Sequence, residues 1–305
     1  MSLNADSIID RLYLKGQINK WRALAIIFAI LTLLIAARVS LPTRMIDGDY
    51  IARFTISGIV GDDQKTYDLI SSLEDDKKVK AVIVWLDTPG GSAVGGEEIY
   101  LRLRKLSEKK PVVAVMRSVS ASAGYMIALG TDYIVARSGT ITGSIGVLIE
   151  TAEVTELAEK LGIKPISIKS SPLKASPSPF EKSTPEAEKV IKDMIMDFYS
   201  HFVDITAERR KLTKEKALTL ADGRVYSGRQ AVDYKLIDAI GGEAEAKEWM
   251  VKNRDIPEKL SVFDVEIEQE DSLLDRVMHG LAGQFWQKSR VGLDGLLALW
   301  HHELQ

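Results

Sequence analysis

Residues 81–91 read AVIVWLDTPGG, an apolar run from Ala81 to Leu86 followed at once by Asp87-Thr-Pro-Gly-Gly91. A run this short and without a polar face is what a strand buried on both sides of a parallel sheet requires. Val112-Val-Ala-Val-Met116 and Tyr133-Ile-Val-Ala136 read the same way, and Ile51 to Val60 alternates like a strand. Between them, Tyr67 to Leu73 and the set Ile99, Leu101, Leu103 and Leu106 have helical spacing. Strands separated by helices of about ten residues imply βαβ units, and so an α/β fold around a parallel sheet.

Further along, Lys169 to Ser183 (KSSPLKASPSPFEKS) is too rich in proline and serine for a regular helix or a central strand. Ser183-Thr-Pro-Glu186 then offers a capping box with proline in the first turn. The apolar positions from Val190 through Ile191, Met194, Ile195, Phe198 and Phe202 to Ile205 predict one long helix, with a stripe suited to core or subunit contact. Residues 261–305 form an amphipathic extension expected to pack on the core or on another subunit.

The chain has 305 residues, 46% of them hydrophobic and 27% charged, with a formal net charge of −3. That is a folded globular composition, and no basic stripe interleaved with aromatics points to nucleic acid. The absence of cysteine excludes disulfides, thiolate catalysis and cysteine metal sites. The four histidines are His201, His279, His301 and His302, and none adjoins a glycine-rich turn. A serine enzyme built on this chain would therefore need a base other than imidazole, for which lysine is the usual substitute.

Near the amino terminus, Trp21 to Ala37 reads WRALAIIFAILTLLIAA. Extended to Leu41, with Arg22 and Arg38 snorkelling to the interfaces, the run has the ~20 residues of a membrane span. Basic residues on its amino-terminal flank favour a cytoplasmic residue 1 and an outward-facing remainder. A cleaved signal peptide, with Ile35-Ala36-Ala37 as the small-residue site, and a buried core helix are the competing readings.

Four small-residue segments could carry chemistry. Asp87-Thr-Pro-Gly-Gly91 follows a buried strand and exposes backbone N–H groups, either as an ordinary turn or as paired donors for an oxyanion. In Ser118-Val-Ser-Ala-Ser-Ala-Gly-Tyr125, Ser122 falls at a helix amino terminus, where an N-cap serine is commonplace but where negative charge is also stabilised. Ser118 and Ser120 are rival hydroxyls. Thr140-Ile-Thr-Gly-Ser-Ile-Gly146 is a third turn, in which Ser144 could orient a base. Lys174 lies in the Ser/Pro-rich stretch, with Lys164, Lys169 and Lys182 as rivals. A lysine accepts a serine proton only when neutral, so its pKa of about 10.4 must fall by roughly three units through burial.

Read in order, Asp87-Thr-Pro-Gly-Gly91, Ser122-Ala-Gly-Tyr125, Thr142-Gly-Ser-Ile-Gly-Val147, Lys174-Ala-Ser-Pro177 and Asp222-Gly-Arg-Val-Tyr-Ser-Gly228, leading to Leu236-Ile-Asp238, resemble the signal peptide peptidase A family. The resemblance covers roughly 51–250. It implies a ClpP/crotonase-like fold of stacked ββα units, behind an N-terminal transmembrane helix. It implies a Ser/Lys dyad with Ser122 as nucleophile, Lys174 as base and Ser144 orienting the amine. The oxyanion and the substrate would rest on backbone at Gly90 or Gly91 and at Ala123. It implies peptide substrates, signal-peptide remnants and other hydrophobic peptides, with no metal, no cofactor and no nucleic acid.

The resulting organisation is a cytoplasmic segment 1–20, a transmembrane anchor 21–41, a peptidase domain 42–260 and the extension 261–305. The chain would sit in the inner (cytoplasmic) membrane with its domain on the extracytoplasmic side. A single copy of the domain implies a homo-oligomer, with the dyad completed in cis or across a subunit boundary. A crotonase-type acyl-CoA enzyme and an inactive membrane scaffold of the same fold are the alternatives. Two features depart from the family pattern: Asp87-Thr88 stands where Asn-Ser is common, and Ala123 where glycine often follows the nucleophile. An acidic Asp87 near an oxyanion must point away from it.

Overall fold

The computed structural model describes residues 14–15, 18–22, 24–29 and 48–266, together with the backbone of 297–299. The chain divides into two units, 1–48 and 49–305. In the first, residues 18–22 and 24–29 are helical. No helix among the described residues is long and apolar enough to cross a membrane. Most of the span expected over 21–41 lies outside those residues, as does most of the 261–305 extension.

The second unit is a mixed α/β sheet. Its strands are β1 (Tyr50–Val60), β2 (Val79–Ser92), β3 (Val112–Ala121), β4 (Tyr133–Ala136), β5 (Ile141–Gly143), β6 (Val225–Ser227), β7 (Ala239–Ile240), β8 (Val262–Asp264) and β9 (Leu297–Leu299). The main path runs β6-β5-β3-β2-β1-β8, with β4 beside β3 and β7 beside β4. All these pairs are parallel except β5–β6; β9, off the path on β2, is antiparallel too. The run 81–86 is the centre of the sheet, as its lack of a polar face predicts, and Ala81 to Val84 and Leu86 are fully buried. Burying each such valine, isoleucine or leucine contributes about 1.5–3 kcal/mol.

The connections are helices α1 (Gln64–Asp75), α2 (Ala93–Lys109), α3 (Ala123–Leu129), α4 (Thr155–Lys160), α5 (Pro185–Arg210), α6 (Lys214–Leu220), α7 (Gly228–Asp233) and α8 (Glu243–Arg254). On one face of the sheet, Ile51, Ala81, Ile83, Val113, Val115 and Val135 pack with Ala246 and Met250 of α8. On the other, α3 is packed against β2, α2 and α5. The start of α5 is displaced by one residue from the expected box. Thr184, not Ser183, is the cap, accepting from Ala187 N–H at 3.2 Å with Pro185 following it. Its apolar stripe is divided: Phe202 and Ile205 are core, whereas Val190 and Met194 are exposed.

Gly91 fixes how closely β1 and β2 approach beside the 87–91 turn. A Cβ there would stand 2.1 Å from Val60 O and 2.6 Å from Val60 N. Both neighbours are backbone and cannot swing aside. Gly91→Ala is therefore expected to destabilise the fold by about 3 kcal/mol, read as a fall of roughly 6–12 °C in Tm. A Tm within 2 °C of the parent would contradict this packing.

Candidate active site

Strand β3 delivers Ser122. Between Leu86↔Met116 and Thr88↔Ser120 the β2–β3 register shifts, so β3 bulges outward through 117–119. The bulge is pinned by two side chains. Thr140 Oγ1 donates to Arg117 O at 2.6 Å, and the Asp87 carboxylate accepts from Val119 N–H at 3.2 Å. Asp87 thus faces β3 backbone, which answers the concern raised by an acid at this position.

The backbone at Ser122 has φ 56° and ψ −120°, a region essentially reserved for glycine and costing about 1–3 kcal/mol for any other residue. Ser122 N–H donates to Gly143 O at 2.8 Å, and its carbonyl accepts from Met126 N–H at 3.0 Å. The residue holds the N-cap position of α3, yet its side chain makes no capping hydrogen bond. It is 1% exposed. The commonplace N-cap reading therefore does not describe it. Of its rivals, Ser118 is exposed, and buried Ser120 donates its hydroxyl to Gly124 O at 3.3 Å. Every residue of α3 is buried, and the unpaired N–H groups of its first turn begin at Ala123.

Strand β5 brings Ser144 to the same place, since Ala121 pairs with Gly143 and Thr142 Oγ1 donates to Ser120 O at 2.7 Å. Ser144 is itself buried at φ 49°, with its N–H donating to Arg224 O at 2.8 Å. The 222–238 motif acts as a clamp behind these turns. Tyr226 OH donates to Leu220 O and Ser227 closes a capping box with Gln230. Tyr125 OH donates to Leu236 O at 2.9 Å, and burial pushes that phenol's pKa well up. Asp238 accepts from Arg210 at 2.8 Å and from Ile134 N–H at 2.7 Å.

The 87–91 turn lies against α3. A Cβ on Gly124 would meet Thr88 Cγ2 at 2.6 Å, and one on Gly96 would stand 3.0 Å from that of Ala123. Thr88 is fully buried, and its Oγ1 accepts from Gly90 N–H at 3.0 Å. An oxyanion resting on Gly90 N–H would have to displace that hydroxyl. Thr88 and Thr142 escaped the sequence reading, although both lie inside its quoted motifs, because a buried hydroxyl serving backbone groups leaves no spacing signal.

Ser122, Ser144, Ala123, Gly90 and Gly91 are thus brought into one neighbourhood. Lys174 differs from these buried residues. It is exposed, in a turn closed by its own N–H to Ser171 O at 3.1 Å and followed by Ala175 at φ 58°. Among the described residues of one chain it makes no hydrogen bond with Ser122 or Ser144. Its rival Lys169 is ion-paired with Glu181, and Lys164 and Lys182 are exposed. No cluster of His, Asp and Glu among the described residues could hold a metal ion.

A buried, strained serine at a strand-to-helix turn is the kind of setting in which serine hydrolases of α/β fold hold a nucleophile. The chain belongs to peptidase family S49: the family model matches residues 104–257. Among curated relatives, the candidate protease slr0021 of Synechocystis is 38% identical over 219 residues, 71% of this chain and 79% of that protein. A candidate signal peptide peptidase SppA of Enterococcus faecium is 36% identical over 186 residues, 61% of this chain and 54% of that one. The chloroplastic serine protease SPPA of Arabidopsis thaliana is 32% identical over 232 residues, 75% of this chain and 33% of that one. The match thus spans about half of the second relative and a third of the third. These relations make the chain a serine peptidase of the signal peptide peptidase A type.

Proposed function

We propose that this chain is a membrane-anchored endopeptidase of ClpP/crotonase-like fold that cleaves hydrophobic peptides, signal-peptide remnants among them, with Ser122 as nucleophile and Lys174 as base. The observation that carries the reading is the Ser122 turn, buried and strained, with a side chain that does not cap its helix. The apolar run within 21–41 supports the anchor, and with it a place in the inner membrane with the domain outside.

In the proposed cycle Lys174 Nζ takes the proton from Ser122 Oγ as Oγ attacks the peptide carbonyl carbon. The resulting oxyanion is held by backbone N–H groups at Gly91 and Ala123. The lysine then gives its proton to the departing amine nitrogen, and water releases the acyl group from Ser122 by the reverse route. Ser144 is proposed to accept from the amine and aim it.

Because Lys174 is exposed in one chain, we further propose that a second copy supplies it. The arm carrying it displays Ile166 at 86% and Ile168 at 96% exposure, together with Leu173 and Phe180. Seating that arm on a neighbour would bury these side chains and desolvate the amine, which lowers a lysine pKa. The test is hydrolysis of a hydrophobic fluorogenic peptide by the full chain in detergent. Activity should depend on Ser122 and Lys174 and rise toward alkaline pH as the base loses its proton. A flat rate between about pH 6 and 9 would contradict a lysine base.

A further inference from the structure

Asp87 is the last residue of β2 before both of its ladders lose register. On the β1 side, Ser57↔Asp87 is followed by Ile59↔Gly90. On the β3 side, Leu86↔Met116 is followed by Thr88↔Ser120, so residues 117–119 have no counterpart on β2. A backbone N–H put out of its ladder in this way needs another acceptor. Val119 N–H finds one in the Asp87 carboxylate, at 3.2 Å. At the other end of the bulge, the Arg117 guanidinium lies 4.9 Å from the ring centroid of Trp85. Trp85 stands two residues before Asp87, on the same face of β2. Side chains of β2 thus hold both ends of the bulge, and Ser122 follows three residues after Val119.

A strained backbone persists only where its surroundings over-determine it. On the β5 side the turn is fixed by the Ala121↔Gly143 pair and by Ser122 N–H donating to Gly143 O. On the β2 side the chain enters the turn from a bulge whose inner end is tied to Asp87. We propose that Asp87 is a positioning residue for Ser122: its carboxylate sets where β3 rejoins β2, and so keeps Ser122 at φ 56°. The bearing of this on catalysis rests on the reading of Ser122 as nucleophile. The need is for an acceptor at this place and not for a charge. Asparagine supplies an oxygen at the same position, whereas alanine leaves Val119 N–H unpaired.

Two readouts on full chains test it. The first is thermal unfolding. Ser122→Gly should raise Tm by about 2–4 °C in the parent and in Asp87→Asn, and should leave it unchanged in Asp87→Ala, where Ser122 is free to relax. The second is hydrolysis of a hydrophobic peptide. Asp87→Ala should lower kcat about tenfold with KM unchanged, and Asp87→Asn should stay within about twofold of the parent in both. Asp87→Ser, too short to reach Val119 and open to water, should behave as the alanine variant and replaces it if that variant does not fold. The same Tm change in all backgrounds, or an asparagine variant as impaired as alanine, would overturn the inference. Ser122-dependent hydrolysis with a parental kcat in Asp87→Ala would overturn it and leave the proposed function standing. The Tm contrast without hydrolysis by any of the proteins would uphold it and remove the proposed function.

Discussion

Ser122→Gly is expected to yield a protein more stable than its parent by about 1 kcal/mol and devoid of peptide hydrolysis. The backbone at φ 56° and ψ −120° is open to glycine and strained for serine by about 1–3 kcal/mol. The greater chain entropy of unfolded glycine offsets about 0.4–1 kcal/mol of that relief. No cap is lost, because the side chain makes none. The gain should appear as a Tm raised by about 2–4 °C. Ser122→Ala keeps the Cβ and the strain, so its stability should match the parent while kcat falls by about 10⁴-fold or more. Had the serine been an ordinary N-cap, both substitutions would destabilise, alanine by about 0.5–2 kcal/mol and glycine by a few tenths. Thermal unfolding of the three proteins separates the cases. A lower Tm for Ser122→Gly would show that the turn stores no strain.

The second large effect is restoration. Ser122→Ala and Lys174→Ala are each expected to be inactive. Chains of both kinds assembled together should recover about a quarter of parental activity, since in a ring with random neighbours one interface in four joins an intact serine to an intact lysine. An arm that reached its own Ser122 would leave every mixed assembly inactive. The exposed Ile166 and Ile168 give the physical motive for pairing across chains, and complementation in peptide hydrolysis is the readout.

The sheet and its central strands were legible because burial on both faces demands unbroken apolar runs. Tyr133–Ala136 agrees residue for residue with its strand, and 81–86 is the middle of a longer one. The ends of β2 and β3 were not legible. There the chain spends polar and small residues on its own backbone, as Thr88 does for Gly90 and Asp87 for Val119, and such residues read as loop. The site was half legible. Pro-Gly-Gly and Ser-Ala-Gly marked two turns, but only the structure reveals that Ser122 leaves its helix uncapped. The strand at 297–299 was illegible as well, because its pairing depends on an edge made distant in sequence by the departure of β3.

The reactivity of one hydroxyl tests the role of Ser122 most directly. Treating the full chain with a fluorophosphonate and mapping the adduct by peptide mass spectrometry should place the phosphonyl group on Ser122, with none in Ser122→Ala. An adduct on Ser118, Ser120 or Ser144, or equal labelling of the parent and Ser122→Ala, would contradict it.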